Sequence, residues 1–278
     1  MQGPQVTVVG RVTVVWWPPQ AVLAAGIAEA ADRQRPFPGI PPDSGPPLRI
    51  FLAPTRVLYD SLTRGRLPSW SEGAAFPGFG GVVLLTTGSP SDILVALRHE
   101  LAHIALRRRV RHSLPLWFEE GYASVAAGEW GRTQAFQLDW HLLGGAALDL
   151  DSVDQALRGQ AGEAAGAYAL ATTAVLLLER WGGPRGLEPL IDSLRTAPTF
   201  DAALRVTDHL TLDRFDELWA QDVRHRYGWL AALGAATLFW GVTGSLLAVL
   251  MWRRRRRDAP RRAALDEGWE VPPDEPNA

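Results

Sequence analysis

The chain has 278 residues, enough to bury a sizeable hydrophobic core, and a formal net charge of −2 at pH 7. All 28 basic residues are arginine. The near-neutral net charge argues against a nucleic-acid-binding protein, so no nucleic-acid partner is expected. The absence of cysteine excludes disulfides, thiolate metal ligands and cysteine nucleophiles.

The first part of the chain predicts a mixture of strands and helix. Two valine-rich segments read as strands that turn at Gly10, and a Gly-rich stretch upstream of the central helix reads as irregular. The sequence leaves open whether the strand directly before the central helix is an edge or an interior strand. The predicted strands are 6–9, 12–15, 48–53 and 81–87, with a helix at 18–33 and the irregular stretch at 70–81.

The segment His99-Glu100-Leu101-Ala102-His103 has the HExxH pattern within an apolar stretch that predicts a buried helix. Imidazoles four residues apart share one helix face and can bind one metal ion, while Glu100 is placed to act on a water at that metal. Residues 89–92 supply N-terminal caps. Arginines 107–109 end the helix favourably for its dipole and need no functional role.

The segment LPLWFEEGYA, residues 114–123, predicts a second helix that starts near Pro115. A catalytic zinc ion usually has three protein ligands, and a carboxylate on this helix is the candidate third one. Glu119 and Glu120 are both available. Neighbouring helix residues point about 100° apart, so only one of the two can face the metal well.

HELAH followed by WFEEGYA resembles the gluzincin metallopeptidases, in particular the bacterial peptidase MA-like proteins and, more distantly, the leukotriene hydrolase/aminopeptidase group. In those families the Glu before Gly in W-x-x-E-G-x-A is the third zinc ligand, which implies Glu120 here. Sixteen residues separate His103 from Glu120, slightly fewer than in the aminopeptidase group. The resemblance covers about residues 45–227. It lacks the Gly-x-Met-x-Asn motif of that group, so specificity for amino termini is not implied.

Tyr168 begins a stretch that is similar to a helix of the aminopeptidase group. In that group the tyrosine hydroxyl stabilises the tetrahedral intermediate, which implies the same role for Tyr168. The Glu-Lys-Gly that follows the tyrosine there is missing here. The alternative is a packing role for Tyr168, with its hydroxyl hydrogen-bonded.

Residues 228–252 contain no charged residue and are long enough to cross a bilayer, with tryptophans at both ends. We therefore predict one C-terminal transmembrane helix, with a buried core helix as the alternative. The arginines at 253–257 place a disordered tail, 253–278, in the cytoplasm and the domain 1–227 outside it. Residues 1–30 hold no good export signal. Either the true start lies upstream, which we favour, or the orientation is inverted.

Together these patterns predict an α+β fold: a zincin-like metallopeptidase domain with a small N-terminal mixed sheet and a largely helical C-terminal half, followed by the transmembrane helix. The further helices are predicted at 115–127, 130–143, 151–158, 165–181, 184–195 and 211–226.

The predicted function is that of a membrane-anchored zinc metallopeptidase, single-pass in the cell membrane, acting on a peptide or protein substrate. One Zn²⁺ per chain is expected on His99, His103 and Glu120, with Glu100 as general base and Tyr168 at the oxyanion. Manganese or cobalt can occupy the same ligands. The alternative is a non-catalytic, membrane-tethered binding module on the same fold.

Overall fold

The computed structural model describes residues 3–42, 45–65, 67–69, 71–76, 80–131, 148–159 and 161–266. It divides the chain into two compact units, Met1–Gly228 and Trp229–Ala278. Within the first unit a mixed sheet is followed by helices, as the α+β prediction requires. The strands are β1 (Gln5–Val9), β2 (Val12–Trp16), β3 (Leu48–Ala53), β4 (Gly73–Phe76) and β5 (Gly81–Leu85). The helices are α1 (Ala21–Asp32), α2 (Arg56–Thr63), α3 (Pro90–Arg109), α4 (Leu116–Ala127), α5 (Leu150–Leu157), α6 (Ala161–Trp181), α7 (Glu188–Leu194), α8 (Phe200–Thr207) and α9 (Leu212–Asp266).

The sheet has the strand order β1-β2-β3-β5-β4. The three inner strands β2, β3 and β5 are parallel, while β1 and β4 pair antiparallel at the two edges of the described sheet. All five residues of β5 are buried, as is usual for an inner parallel strand. The strand that precedes the metal-motif helix is therefore interior, which answers the question left open by the sequence. Beside β5 the edge strand is β4, which lies in a stretch that we expected to be irregular.

Helix α3 carries the HExxH segment and packs against α1, α4, β4 and β5. Its N-terminus has a capping box formed by Ser89 and Asp92, which confirms the predicted caps. The apolar side chains of α3 that enter the core are Ile93, Leu97, Leu101, Ala102, Ile104 and Leu106. Leu94, near the start of the helix, is 41% exposed. The helix is thus held on several sides, which fixes the direction of its polar residues.

Helices α4 and α6 approach each other closely at Gly121. A Cβ at this position would overlap the backbone carbonyl of Ala171. The glycine of the W-x-x-E-G-x-A pattern therefore has a packing role, because it allows α6 to lie against the helix that carries Glu120. Asp154 of α5 completes the N-terminus of α4, where it accepts a hydrogen bond of 2.6 Å from the Trp117 backbone N–H.

The prediction of a C-terminal transmembrane helix is wrong. No helix in the described part of the chain is long and apolar enough to span a membrane. Helix α9 runs without a break from the charged segment 212–226 through arginines 253–257. The alternative of a buried core helix does not fit either, since Phe239 and Trp240 are exposed.

Three predictions that depended on this span are wrong for the same reason. They are the contact with a lipid bilayer through 228–252, the single-pass location in the cell membrane, and the placement of domain and tail on opposite sides of that membrane. Helix α9 also continues through the first part of the tail, as far as Asp266. Residues 267–278 and most of the predicted helix at 130–143 lie outside the described residues.

Candidate metal centre

His99, His103 and Glu120 come together at the junction of α3 and α4. The Glu120 Oε2 lies 3.4 Å from the His99 Nε2 and 3.6 Å from the His103 Nε2. Ligand atoms bound about 2.1 Å from a tetrahedral ion are themselves roughly 3.4 Å apart. The two imidazoles and the carboxylate therefore form a group that could hold a metal ion.

Glu129 holds the ring of His99 from the opposite side. The His99 Nδ1–H donates to the Glu129 Oε1 over 3.0 Å, which leaves Nε2 directed towards Glu120. A hydrogen bond of this kind fixes the tautomer and orientation of a metal-binding histidine. Glu129 follows Gly128, which ends α4 in a left-handed conformation with φ 73° and turns the chain back towards α3. Sequence reasoning missed Glu129. The one sequence feature that marks Glu129 is its position directly after a glycine that ends a helix.

The charges of these groups are strongly coupled. Burial acts to lower the pKa of His99, but hydrogen bonds with Glu120 and Glu129 outweigh it and raise this pKa well above 6.5. Burial acts to raise the pKa of Glu120, but its hydrogen bonds with both histidines depress it far below the usual range. The ionised carboxylates of Glu120 and Glu129 thus flank His99, whose imidazole favours the protonated form, and a metal cation could replace that proton.

Glu100 reaches the same cleft from the metal helix and lies against the edge strand β4. A Cβ at Gly73 would overlap the Glu100 carboxylate, so the glycine makes room for it. Burial raises the pKa of Glu100, and the positive charges of His99 and His103 oppose this rise. A carboxylate whose pKa is shifted towards neutrality is better suited to exchange protons than an exposed one.

Glu119 and Glu120 have different environments although they are neighbours in sequence. Glu119 is buried and forms an ion pair of 2.5 Å with the Arg107 Nη2, while Glu120 contacts both histidines. Glu119 is therefore not exposed to solvent, and the structure brings Glu120, not Glu119, to the two imidazoles. Arg107, for which no role was expected, neutralises Glu119 at the wall of the cleft.

Tyr168 enters the centre from α6. Its hydroxyl hydrogen-bonds with Glu120, and its ring centre lies 6.5 Å from that of His99. Burial and the charge of Glu120 raise the pKa of Tyr168, so the hydroxyl stays a proton donor. The tyrosine is thus in contact with the proposed metal ligands, and its position depends on the close approach of α4 and α6 at Gly121.

A cleft of about 690 Å³ is lined by side chains of the metal centre, namely His99, Glu100, His103, Glu119, Glu120 and Tyr168. Its walls include the edge strand β4, the metal face of α3, Leu116 and Glu119 of α4, and Leu157 and Arg158 at the end of α5. An edge strand can accept an extended peptide through backbone hydrogen bonds, so the cleft has a candidate binding wall beside Glu100.

Comparison with known family models and curated proteins identified no relative. The sequence matches no family model, and no curated protein matches it significantly. The resemblance to gluzincins therefore depends on the residues of the two motifs and on the arrangement of their side chains.

Proposed function

We propose that this protein is a zinc-dependent metallopeptidase that hydrolyses peptide bonds in the cleft between β4 and the α3–α4 junction. The observation that carries this proposal is the spacing of the three ligand atoms, with the Glu100 carboxylate entering the same cleft. Zn²⁺ is the expected cofactor, one per chain, because two imidazoles and a carboxylate are a usual catalytic zinc set.

A zinc ion held by His99, His103 and Glu120 would supply Lewis-acid polarisation of the substrate carbonyl and a lowered pKa for an attacking water. Glu100 accepts a proton from that water and passes it to the leaving nitrogen. Tyr168 donates a hydrogen bond to the oxygen on which negative charge develops. The substrate chain lies extended along β4, which brings its carbonyl to these groups.

The decisive variant is Glu100→Gln, because Glu100 is the proton carrier and not a metal ligand. We expect purified wild-type protein to contain about one zinc per chain and to cleave a library of unstructured peptides, with the new termini identified by mass spectrometry. Glu100→Gln should retain its zinc and lose at least a hundredfold of the cleavage rate, in keeping with general-base catalysis.

The matched control is Glu217→Gln, which alters an exposed glutamate of α9. It should leave both metal content and cleavage unchanged. A wild-type protein that binds zinc but cleaves no peptide, even after prolonged incubation, would instead make the centre part of a non-catalytic binding module. A folded wild-type protein without bound metal would contradict the peptidase function and leave only the binding module.

A further inference from the structure

The edge strand β4 begins at Gly73, directly beside the proton carrier of the proposed reaction. A Cβ at Gly73 would overlap the Oε1 and Cγ of Glu100, so the backbone of the strand is the wall on which this side chain rests. Glu100 and residues 73–76 line the same cleft. The position of the Glu100 carboxylate in the cleft therefore depends on where the first residue of β4 lies.

Strand β4 has little side-chain area of its own with which to keep that position. Its sequence is GAAF, and glycine and alanine are depleted in strands because they pack poorly on a pleated surface. In the described sheet it pairs with β5 alone. Contacts from outside the sheet are therefore important for holding its first residue in place.

Tyr59 of α2 supplies such a contact. Its side chain is fully buried in a small apolar cluster that includes Ala74 and Val83. Its hydroxyl donates a hydrogen bond of 2.6 Å to the Gly73 carbonyl oxygen. The Ser71 Oγ lies 2.9 Å from that hydroxyl oxygen and 2.7 Å from the same carbonyl oxygen. Two hydroxyl groups thus converge on the backbone oxygen of the residue that Glu100 touches.

The Tyr59 hydroxyl is suited to a lasting role as donor. Burial raises the pKa of Tyr59 to about 12; the hydrogen bond with Ser71 opposes this rise, and the charge of Glu100 adds to it. The hydroxyl therefore keeps its proton near neutral pH. The residues that line the cleft in the described part of the chain do not include Tyr59. It would therefore act through β4 and not on a substrate.

We propose that Tyr59 is a positioning residue of the candidate active site, because its hydroxyl holds the Gly73 carbonyl and so keeps β4 where the Glu100 carboxylate needs it. This inference rests on the proposed function, in which Glu100 carries the proton. Without the hydroxyl, Ser71 alone would hold the carbonyl, and β4 could move relative to α3. A displacement of ~1 Å near a catalytic group can cost about a hundredfold in rate, so a smaller movement is measurable.

The first test is Tyr59→Phe in the full-length protein, which removes the hydroxyl and keeps the ring. We expect the rate of peptide cleavage to fall about tenfold, in kcat more than in KM, with zinc affinity unchanged in chelator competition. The matched control is Tyr122→Phe, since Tyr122 is also buried and its hydroxyl donates to the Pro38 carbonyl oxygen over 2.9 Å. Both variants lose one buried hydrogen bond and should lose similar thermal stability, but the control should keep its kcat.

The second test follows Glu100 itself and does not need peptidase activity. In protein labelled with carbon-13 at the glutamate carboxylates, the NMR signal of Glu100 is identified by its loss in Glu100→Gln. Tyr59→Phe should shift this signal, and Tyr122→Phe should leave it in place. An unmoved signal or an unchanged kcat in Tyr59→Phe would overturn the inference. If the wild-type protein cleaves no peptide, the proposed function fails, and the carboxylate signal alone decides whether Tyr59 positions Glu100.

Discussion

Helix α3 has opposite charge environments on its two sides. On one side Glu100, Glu120 and Glu129 surround the two histidines of the HExxH segment, and the pKa of His99 is raised as a result. On the other side arginines from three chain segments line a cavity, and Asp32 supplies the one carboxylate among its described lining residues. Concentrated charge of one sign is costly unless a counter-charge is present. Helix α3 thus separates a cluster of carboxylates and histidines from a cluster of arginines.

The two sides also differ in how firmly their groups are held. On the metal side Glu129 fixes the His99 ring, Gly73 makes room for Glu100, and Gly121 admits the helix that carries Tyr168. The arginines on the cavity side have long side chains that are partly buried or, at Arg35, exposed. When a neighbour of a rigidly held group is removed, the group loses its position and more binding affinity is lost. We therefore expect the largest mutational effects at the metal centre.

Glu120→Gln should give the largest effect, because it replaces the charged ligand of the proposed zinc site. We expect its zinc affinity to fall more than a hundredfold, beyond the tenfold to hundredfold cost of losing a supporting partner. Competition with a chromophoric chelator measures this directly. Glu119→Gln, one residue away and paired with Arg107, is the matched control and should keep near wild-type affinity. The reverse result would make Glu119 the ligand.

Glu129→Gln should give the next largest effect, since Glu129 orients His99 without contacting the metal. We expect zinc affinity to fall about tenfold to hundredfold, with one zinc still bound per chain at saturation. The same competition assay applies, and Glu188→Gln, an exposed glutamate at the start of α7, serves as the control. An affinity equal to wild type would show that the hydrogen bond to His99 Nδ1 has no positioning role.

Local spacing on one helix was enough to select His99, Glu100 and His103. Spacing left Glu119 and Glu120 open, and only the resemblance to the gluzincin motif favoured Glu120. Glu129 was missed because its role depends on a turn that brings α4 back to α3. No spacing rule connects residues 99 and 129.

The fold shows the same limit. Inner strands such as β5 were predicted from continuous apolar runs, whereas the edge strand β4, with the sequence GAAF, has too little β-propensity to be recognised. It becomes a strand through its pairing with β5. The arginines of α3 were likewise interpreted from the helix end alone, because the hairpin turn and the 35–42 segment that complete their surroundings are distant in sequence.

The pH dependence of zinc binding should give a smaller but more specific effect. Metal binds neutral imidazole, and the hydrogen bonds of His99 with Glu120 and Glu129 raise its pKa well above 6.5 in the metal-free protein. Between pH 6.5 and that raised pKa, zinc must displace a proton from His99. Affinity should therefore rise about tenfold per pH unit across this window and level off above it.

Glu129→Gln sharpens this prediction, because it removes one of the two carboxylates that raise the pKa of His99. With that pKa lowered, His99 loses its proton at lower pH, and the zinc affinity of the variant should level off at a lower pH than in wild type. The variant is thus weakened most at alkaline pH, where wild-type His99 no longer holds a proton, and least near pH 6.5. Chelator competition at a series of pH values measures both curves. Two parallel curves that level off at the same pH would mean that Glu129 supports the metal centre without controlling the proton on His99.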